Sequence, residues 1–298
     1  MTITYKYTKI KLEDDSMLVN SKKLFDNALK QGYAIPAYNI NNLEWIRFIL
    51  EACNEDKSPV ILAVTPSSIE YFGGYKIVVN LVETMINELC IKVPVVLHLD
   101  HANDFLSCKM AIDAGFTSVM IDVSTMGFED NVAITDKVVS YAKEHDVSVE
   151  AELGSLGSDD SSQNIYLYSD LEQSHDFVFR TGIDSFAPSI GNVHGFYNGN
   201  EKIDFELLGA ICKMVRIPLV LHGASGLDDN KLKTAIFCGV TKINFNTDLM
   251  YAWSCEVRKY LKTNKDIYDP RKIILSGKNA VKKVIHEKNT IIGSKNRL

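Results

Sequence analysis

The chain of 298 residues is 46% hydrophobic and 23% charged, ordinary globular composition with enough apolar material for a sizeable core. Its 32 basic and 38 acidic residues leave a net charge of −6, so no basic excess argues for nucleic acid and an anionic substrate must be held by local groups. The polar stretch Met1 to Ser16 lacks the apolar core of a signal peptide, no apolar run approaches the ~18 residues that cross a bilayer, and Cys53, Cys90, Cys108, Cys212, Cys238 and Cys255, with no CxxC pair, read as reduced core residues of a cytoplasmic protein.

Short apolar strands alternate with longer amphipathic helices along the whole chain. A helix begins at Ser21, with Leu24, Phe25, Ala28 and Leu29 on one face, and the first strand spans Tyr33 to Asn39. A helix from Leu43 to Asn54 leads to the second strand, Pro59 to Val64; a helix from about Tyr75 to Leu89 leads to the third, Pro94 to Asp100. Phe105 to Ala114 is helical and stops at Gly115, a fitting C-terminal cap. The fourth strand is Ser118 to Asp122; Asn131 caps a helix to His145; the fifth strand is Ser148 to Leu153, followed by the polar loop Gly154 to Ser162. Ser169 starts a helix to Thr181 and the sixth strand is Ser185 to Ser189. Helix Asp204 to Met214 precedes the seventh strand, Pro218 to His222; helix Leu227 to Cys238 precedes the eighth, Thr241 to Asn246. Helices Asp248 to Lys262 and Lys278 to Glu287 close the chain. Strands that alternate with helices pair in parallel, and eight such units predict a single (β/α)8 TIM barrel over 1–298.

In such a barrel the chemistry sits at the C-terminal ends of the strands, and polar residues collect there. The third strand, Val95 to Asp100, runs into His101, so a carboxylate and an imidazole stand together at a strand mouth. Asp122 ends the fourth strand, and Glu150 and Glu152 lie on the fifth. Gly191-Asn192-Val193-His194-Gly195 follows the sixth, His222-Gly223-Ala224-Ser225-Gly226 ends the seventh, and Asn244-Phe245-Asn246-Thr247-Asp248 ends the eighth. His101, His194 and His222 suit a zinc ion with positions left open for water or substrate. His98 shares a strand face with Asp100 one pleat below and reads as a supporting residue; His145, His175 and His286 read as solvent-facing helix residues. The glycine-rich turn after the seventh strand and the Asn244 to Thr247 turn after the eighth stand where barrels bind phosphate through loop amides and a helix N-terminus. Lys242 starts the eighth strand at the end away from this rim, so no lysine is offered for imine chemistry.

The strings LHLDHAND, SVMIDVS, VEAELG, IGNVHG, LVLHGASG, KINFNTD and YDPRK, in this order from about Met17 to the C-terminus, resemble class II fructose-bisphosphate aldolase, the metal-dependent kind. Residues 1–16 resemble an extension ahead of the usual start. The resemblance implies a lyase of glycolysis and gluconeogenesis that cleaves fructose 1,6-bisphosphate into dihydroxyacetone phosphate and glyceraldehyde 3-phosphate. It implies zinc on His101, His194 and His222, with Glu152 and Asp122 as residues that join the metal or hold a second divalent ion. Asp100 resembles the acid/base for the C4 hydroxyl. Gly195, Gly223, Ala224, Ser225, Asn244, Phe245, Asn246 and Thr247 resemble the ketose and phosphate contacts, with Gly195 and Gly223 also facing a monovalent cation. Arg271 resembles a residue that reaches the distal phosphate from a neighbouring subunit, which implies a homodimer or homotetramer. Neither a nucleic acid nor a membrane partner is implied.

The chain departs from the family pattern in places. Leu156-Gly157-Ser158-Asp159-Asp160 stands where a GGxED loop is usual, leaving Asp159 or Asp160 as the loop acid/base for C3. Ala224 replaces a glycine, Val123 a smaller residue, and Thr65-Pro66-Ser67-Ser68 a serine-glycine sequence. Three alternatives stand beside this reading: a tagatose 1,6-bisphosphate aldolase, a metal-dependent hydrolase barrel, and a non-catalytic phosphosugar-binding barrel. The hydrolase lacks support because Ala34 to Asn39 carries no HxH pair.

Overall fold

The alternating strands close on one another. In the computed structural model, which describes residues 17–154, 157–158, 168–195 and 203–298 and leaves the side chain of His194 outside the description, the strands are β1 (Ile35–Asn39), β2 (Val60–Val64), β3 (Val95–Ala102), β4 (Ser118–Ile121), β5 (Ser148–Leu153), β6 (Gly157–Ser158), β7 (Ser185–Pro188), β8 (Val193–His194), β9 (Leu219–Leu221) and β10 (Val240–Phe245). The barrel runs β1-β10-β9-β7-β5-β4-β3-β2 and closes with β2 on β1, all in parallel; β6 and β8 form a separate pair. Residues 1–16 lie outside the described residues.

The two faces of each strand do different work. Leu97 and Leu99 on β3, Val119 and Ile121 on β4, and Ile243 and Phe245 on β10 point out into the main apolar cluster under the helices. Ile35, Ala37, Ile61 and Val96 point in, where Phe25 and Ala28 of helix Lys22–Gln31 pack on them and close the N-terminal end of the barrel. Removing Phe25 from water contributes about 1.5–3 kcal/mol to that closure. Above this plug the inward positions turn polar: His98 and Asp100, Ser118, Glu150 and Glu152, Lys242 and Asn244, all buried.

Boundaries shift where side chains have other duties. The helix expected from Asn131 runs Phe128–Lys143, because the buried Asn131 donates to the Glu152 carbonyl at 3.0 Å instead of capping. Helix Leu171–Thr181 is capped by Asp170; Ser169 instead donates to the Leu153 carbonyl at 2.5 Å. Helices Pro66–Phe72 and Pro270–Ser276 were not expected; each begins on a proline after a capping Thr65 or Asp269, a legible start signal. The last helix extends to Ile291. All six cysteines are free, but Cys90 is exposed and only Cys53 and Cys108 are buried. His286 is only partly solvent-facing: its side chain is 33% exposed and its Nδ1 bonds the buried Asp56 at 2.9 Å. Lys242 is not at a far end either; it is fully buried inside the barrel.

Candidate active site

Adjacent strand residues point to opposite faces, so Asp100 and His101 cannot both face one cleft on a regular strand. The register of β3 against β4 slips between Leu99 and Ala102, and His101 takes a φ of 52°. This bulge swings the imidazole back to the barrel mouth beside Asp100, at the conformational cost of a non-glycine residue in left-handed backbone.

Asp100 is buried and accepts from Asn39 Nδ2 at 2.9 Å and Asn244 Nδ2 at 3.2 Å. Burial opposes its charge, yet His101 first and Lys242 next hold its carboxyl well below the usual range. His101 Nδ1 lies 2.8 Å from Asp122 Oδ2, whose other oxygen accepts from Ser124 Oγ at 2.8 Å. Burial lowers the His101 pKa, but Asp100 and Asp122 raise it to about 9. Asp122 sits at about 2: burial pushes it up, and the His101 bond outweighs that. Glu152 is raised well above its ordinary value by burial and then by Asp122.

The His101 and His222 rings stand 4.6 Å apart, centroid to centroid. Ligand atoms of Asp100, His101 and His222 lie within 4.8 Å of one another, as do those of His101, Asp122 and Glu152. Glu152 Oε2 is buried with no hydrogen-bond partner among the described residues. Imidazoles and carboxylates in this arrangement fit a divalent cation, and an orphaned buried carboxylate oxygen beside them fits a charge that the protein alone does not supply. The backbone of His194 is on β8, paired with Ser158; its side chain, like Asp159 and Asp160, lies outside the described residues.

A cleft of about 160 Å³ opens over Asp100, His101 and His222, and Gly195, Gly223, Ser225, Asn244, Asn246 and Thr247 line it. A larger depression of about 740 Å³ is lined by Gly209, Cys212 and Phe237 and carries no carboxylate or imidazole, so the smaller cleft is the chemical one. Three expected contacts do not line it with their side chains. Ala224 and Phe245 pack in the outer core, Phe245 because it is one residue out of phase with the inward Asn244. Arg271 is absent from the cleft lining; its side chain is 85% exposed and pairs with Asp269 at 3.0 Å. Sequence reasoning assigned no role to Asn39, Thr65, Glu150 or Lys242. Asn39 and Thr65 end or follow β1 and β2 and line the cleft, so the strand-end rule that found Asp100 reaches them too. Glu150 and Lys242 sit mid-strand, where only the barrel's closure brings them together.

The chain matches the family model described as fructose-bisphosphate aldolase class-II over residues 19–297. It is 47% identical over 279 residues to a fructose-bisphosphate aldolase of Geobacillus stearothermophilus, covering 93% of this chain and 97% of the relative. It is 44% identical over 282 residues to a fructose-bisphosphate aldolase of Staphylococcus epidermidis, covering 94% and 99%. A crystal structure of a fructose-bisphosphate aldolase from Campylobacter jejuni superposes with a TM-score of 0.83 at 27% identity, covering 94% of this chain and 97% of that one.

Proposed function

The chain belongs to the class II fructose-bisphosphate aldolases and is a lyase of that activity; from that premise we propose how its residues divide the work. The substrate is fructose 1,6-bisphosphate, a small bisphosphorylated ketose. The observation that carries the reading is Asp100, buried and ionised between two amide donors, within reach of His101 and His222.

His101, His194 and His222 hold the metal, which we take to be zinc because imidazole donors suit it. Glu152 and Asp122 join it or hold a second divalent ion. A bound divalent ion supplies Lewis acidity to the ketose oxygens as the C3–C4 bond breaks. Asp100 accepts the C4 hydroxyl proton, and the Asn39 and Asn244 amides keep its carboxylate aimed. The side-chain amide oxygen Oδ1 of Asn244 is buried with no partner among the described residues, an acceptor ready for a substrate hydroxyl. Helix Thr247–Thr263 begins without a side-chain cap, so its first amides, with Ser225 and the Gly223 turn, receive a phosphate and orient the ketone. Gly195 and Gly223 also offer backbone carbonyls to a monovalent cation. Asp159 or Asp160 carries the C3 proton, and Arg271 of a neighbouring copy meets the distal phosphate in a homodimer or homotetramer. We place the enzyme in the cytoplasm on the strength of its free cysteines, and within glycolysis and gluconeogenesis on the strength of its fructose-bisphosphate aldolase relatives. We also treat 1–298 as one domain with 1–16 as an extension.

The test is cleavage of fructose 1,6-bisphosphate before and after chelation, with zinc added back. Activity is expected to vanish and return; chelator-resistant cleavage would overturn the metal reading. Faster turnover of tagatose 1,6-bisphosphate would reassign the sugar, which differs only in configuration at C4.

A further inference from the structure

Beneath the cleft the barrel holds an ion pair where such barrels hold stacked aliphatic layers. The Lys242 side chain is 0% exposed and Glu150 is 1% exposed, and Lys242 Nζ donates to Glu150 Oε2 at 2.7 Å. The same ammonium lies 3.1 Å from His98 Nε2. A buried charge pair gains little stability over apolar side chains of similar size, so its presence here calls for another use.

Donor and acceptor rules fix every proton in this cluster. An ammonium only donates, so His98 Nε2 accepts, and His98 Nδ1 must donate to Ser118 Oγ, 2.8 Å away. With that lone pair taken, His98 offers no proton to Asp100, although Nε2 is 3.8 Å from Asp100 Oδ1. Glu150, one oxygen bound to Lys242, turns the other to His222 Nε2 at 2.8 Å. His222 Nε2 therefore carries the hydrogen toward Glu150, which leaves Nδ1 as the nitrogen able to serve as the ligand atom beside His101 and Asp100. Asn192 Nδ2 holds the His222 carbonyl at 3.0 Å, so the residue is gripped from both ends.

We infer that Lys242 is a positioning residue for the catalytic centre: by holding Glu150 it sets the tautomer and ring orientation of His222, and by occupying His98 it leaves Asp100 to the amides of Asn39 and Asn244. This rests on the reading of His222 as a metal ligand. Outer partners that orient a ligating imidazole are worth ~10–100-fold in metal affinity.

The experiment compares wild-type enzyme with Lys242→Met. Zinc affinity by chelator competition, the visible absorption of the Co2+-loaded protein, and the thermal melt are measured on each. Lys242→Met is expected to fold, to lose ~10–100-fold in zinc affinity, and to shift the Co2+ bands; at saturating zinc, kcat falls while KM for the bisphosphate holds. Lys242→Met/Glu150→Gln is expected to lose no more than the single variant, since both changes act through one contact. A folded Lys242→Met with wild-type affinity and Co2+ spectrum overturns the inference, because a purely structural lysine moves the melt alone. Should Lys242→Met not fold, Glu150→Gln gives the same reading, since Lys242 and His222 bond different oxygens of Glu150 and glutamine replaces one of them with a donating amide nitrogen: lost affinity supports the inference and wild-type affinity overturns it. A wild-type enzyme that takes up no zinc removes the ligand reading itself, whereas a zinc-binding wild type with an indifferent Lys242→Met removes only this inference.

Discussion

At His101 a backbone φ of 52° brings an imidazole and the Asp100 carboxylate to one side of a strand. Asp100→Ala should keep its metal and lose cleavage by about 10²–10⁴-fold, the usual worth of a positioned acid/base; near-normal kcat in a zinc-loaded variant would remove Asp100 from the chemistry. Gly223 has a φ of 66°, and a Cβ there would lie 2.0 Å from the Val193 carbonyl oxygen, on the strand that carries His194. Gly223→Ala must move that strand, so it should cost about 1–3 kcal/mol of stability and lower zinc affinity at the same time. A variant with wild-type melting and affinity would show that the close approach is unimportant.

The C-terminal helix Lys278–Ile291 is tied to helix Leu43–Asp56 through the carboxylates of Glu51, Glu55 and Asp56, and of these only Asp56 is buried. Asp56 is buried and meets His286 Nδ1 at 2.9 Å, Asn289 Nδ2 at 3.0 Å and Lys295 Nζ at 2.9 Å. Tyr38 of β1 bonds the same Asn289 at 2.8 Å, so the tether reaches the barrel wall. Burial alone raises the Asp56 pKa, but the bonds from Lys295, His286 and Asn289 bring it below the ordinary 3.8. A carboxyl lowered on folding stabilises the native state above its unfolded pKa, and that contribution drains as pH falls below it. Asp56→Ala should therefore cost about 1.5–3 kcal/mol near neutrality, and the gap to wild type in urea melts should narrow only below pH 3.8. A gap that persists unchanged into stronger acid would mean that packing, not charge, holds this helix.

Arg271 is the residue whose proposed place depends on more than one copy of the chain. Its side chain is 85% exposed and pairs only with Asp269 among the ion pairs of the described residues, away from the cleft of its own chain. A distal phosphate supplied by a neighbouring copy makes sense of that exposure. Arg271→Ala should then raise KM by about 10–100-fold, the worth of a charged hydrogen bond, with an unchanged melt, and sedimentation should show an oligomer. An unaltered KM would leave this arginine without a part in substrate binding. Among the described residues no helix is long and apolar enough to cross a membrane.

The alternation of apolar stretches and helical faces determined the barrel, because each of those signals is local and repeats along the chain. It also placed Asp100, His101, His222 and Asn244 at strand ends, since rim position follows from where a strand stops. The resemblance names Phe245 among the ketose and phosphate contacts, but a strand-end position leaves open which face a side chain takes, and the pleat turns the Phe245 ring into the outer core. Only tertiary structure decided that His101 turns back toward Asp100, since a bulge depends on register with the neighbouring strand. Closure of the barrel likewise decided that Lys242 meets Glu150 and His98, residues 92 and 144 positions distant along the chain. Contacts of that kind leave no local pattern in a sequence, because they depend on how eight strands tilt and stagger around a common axis.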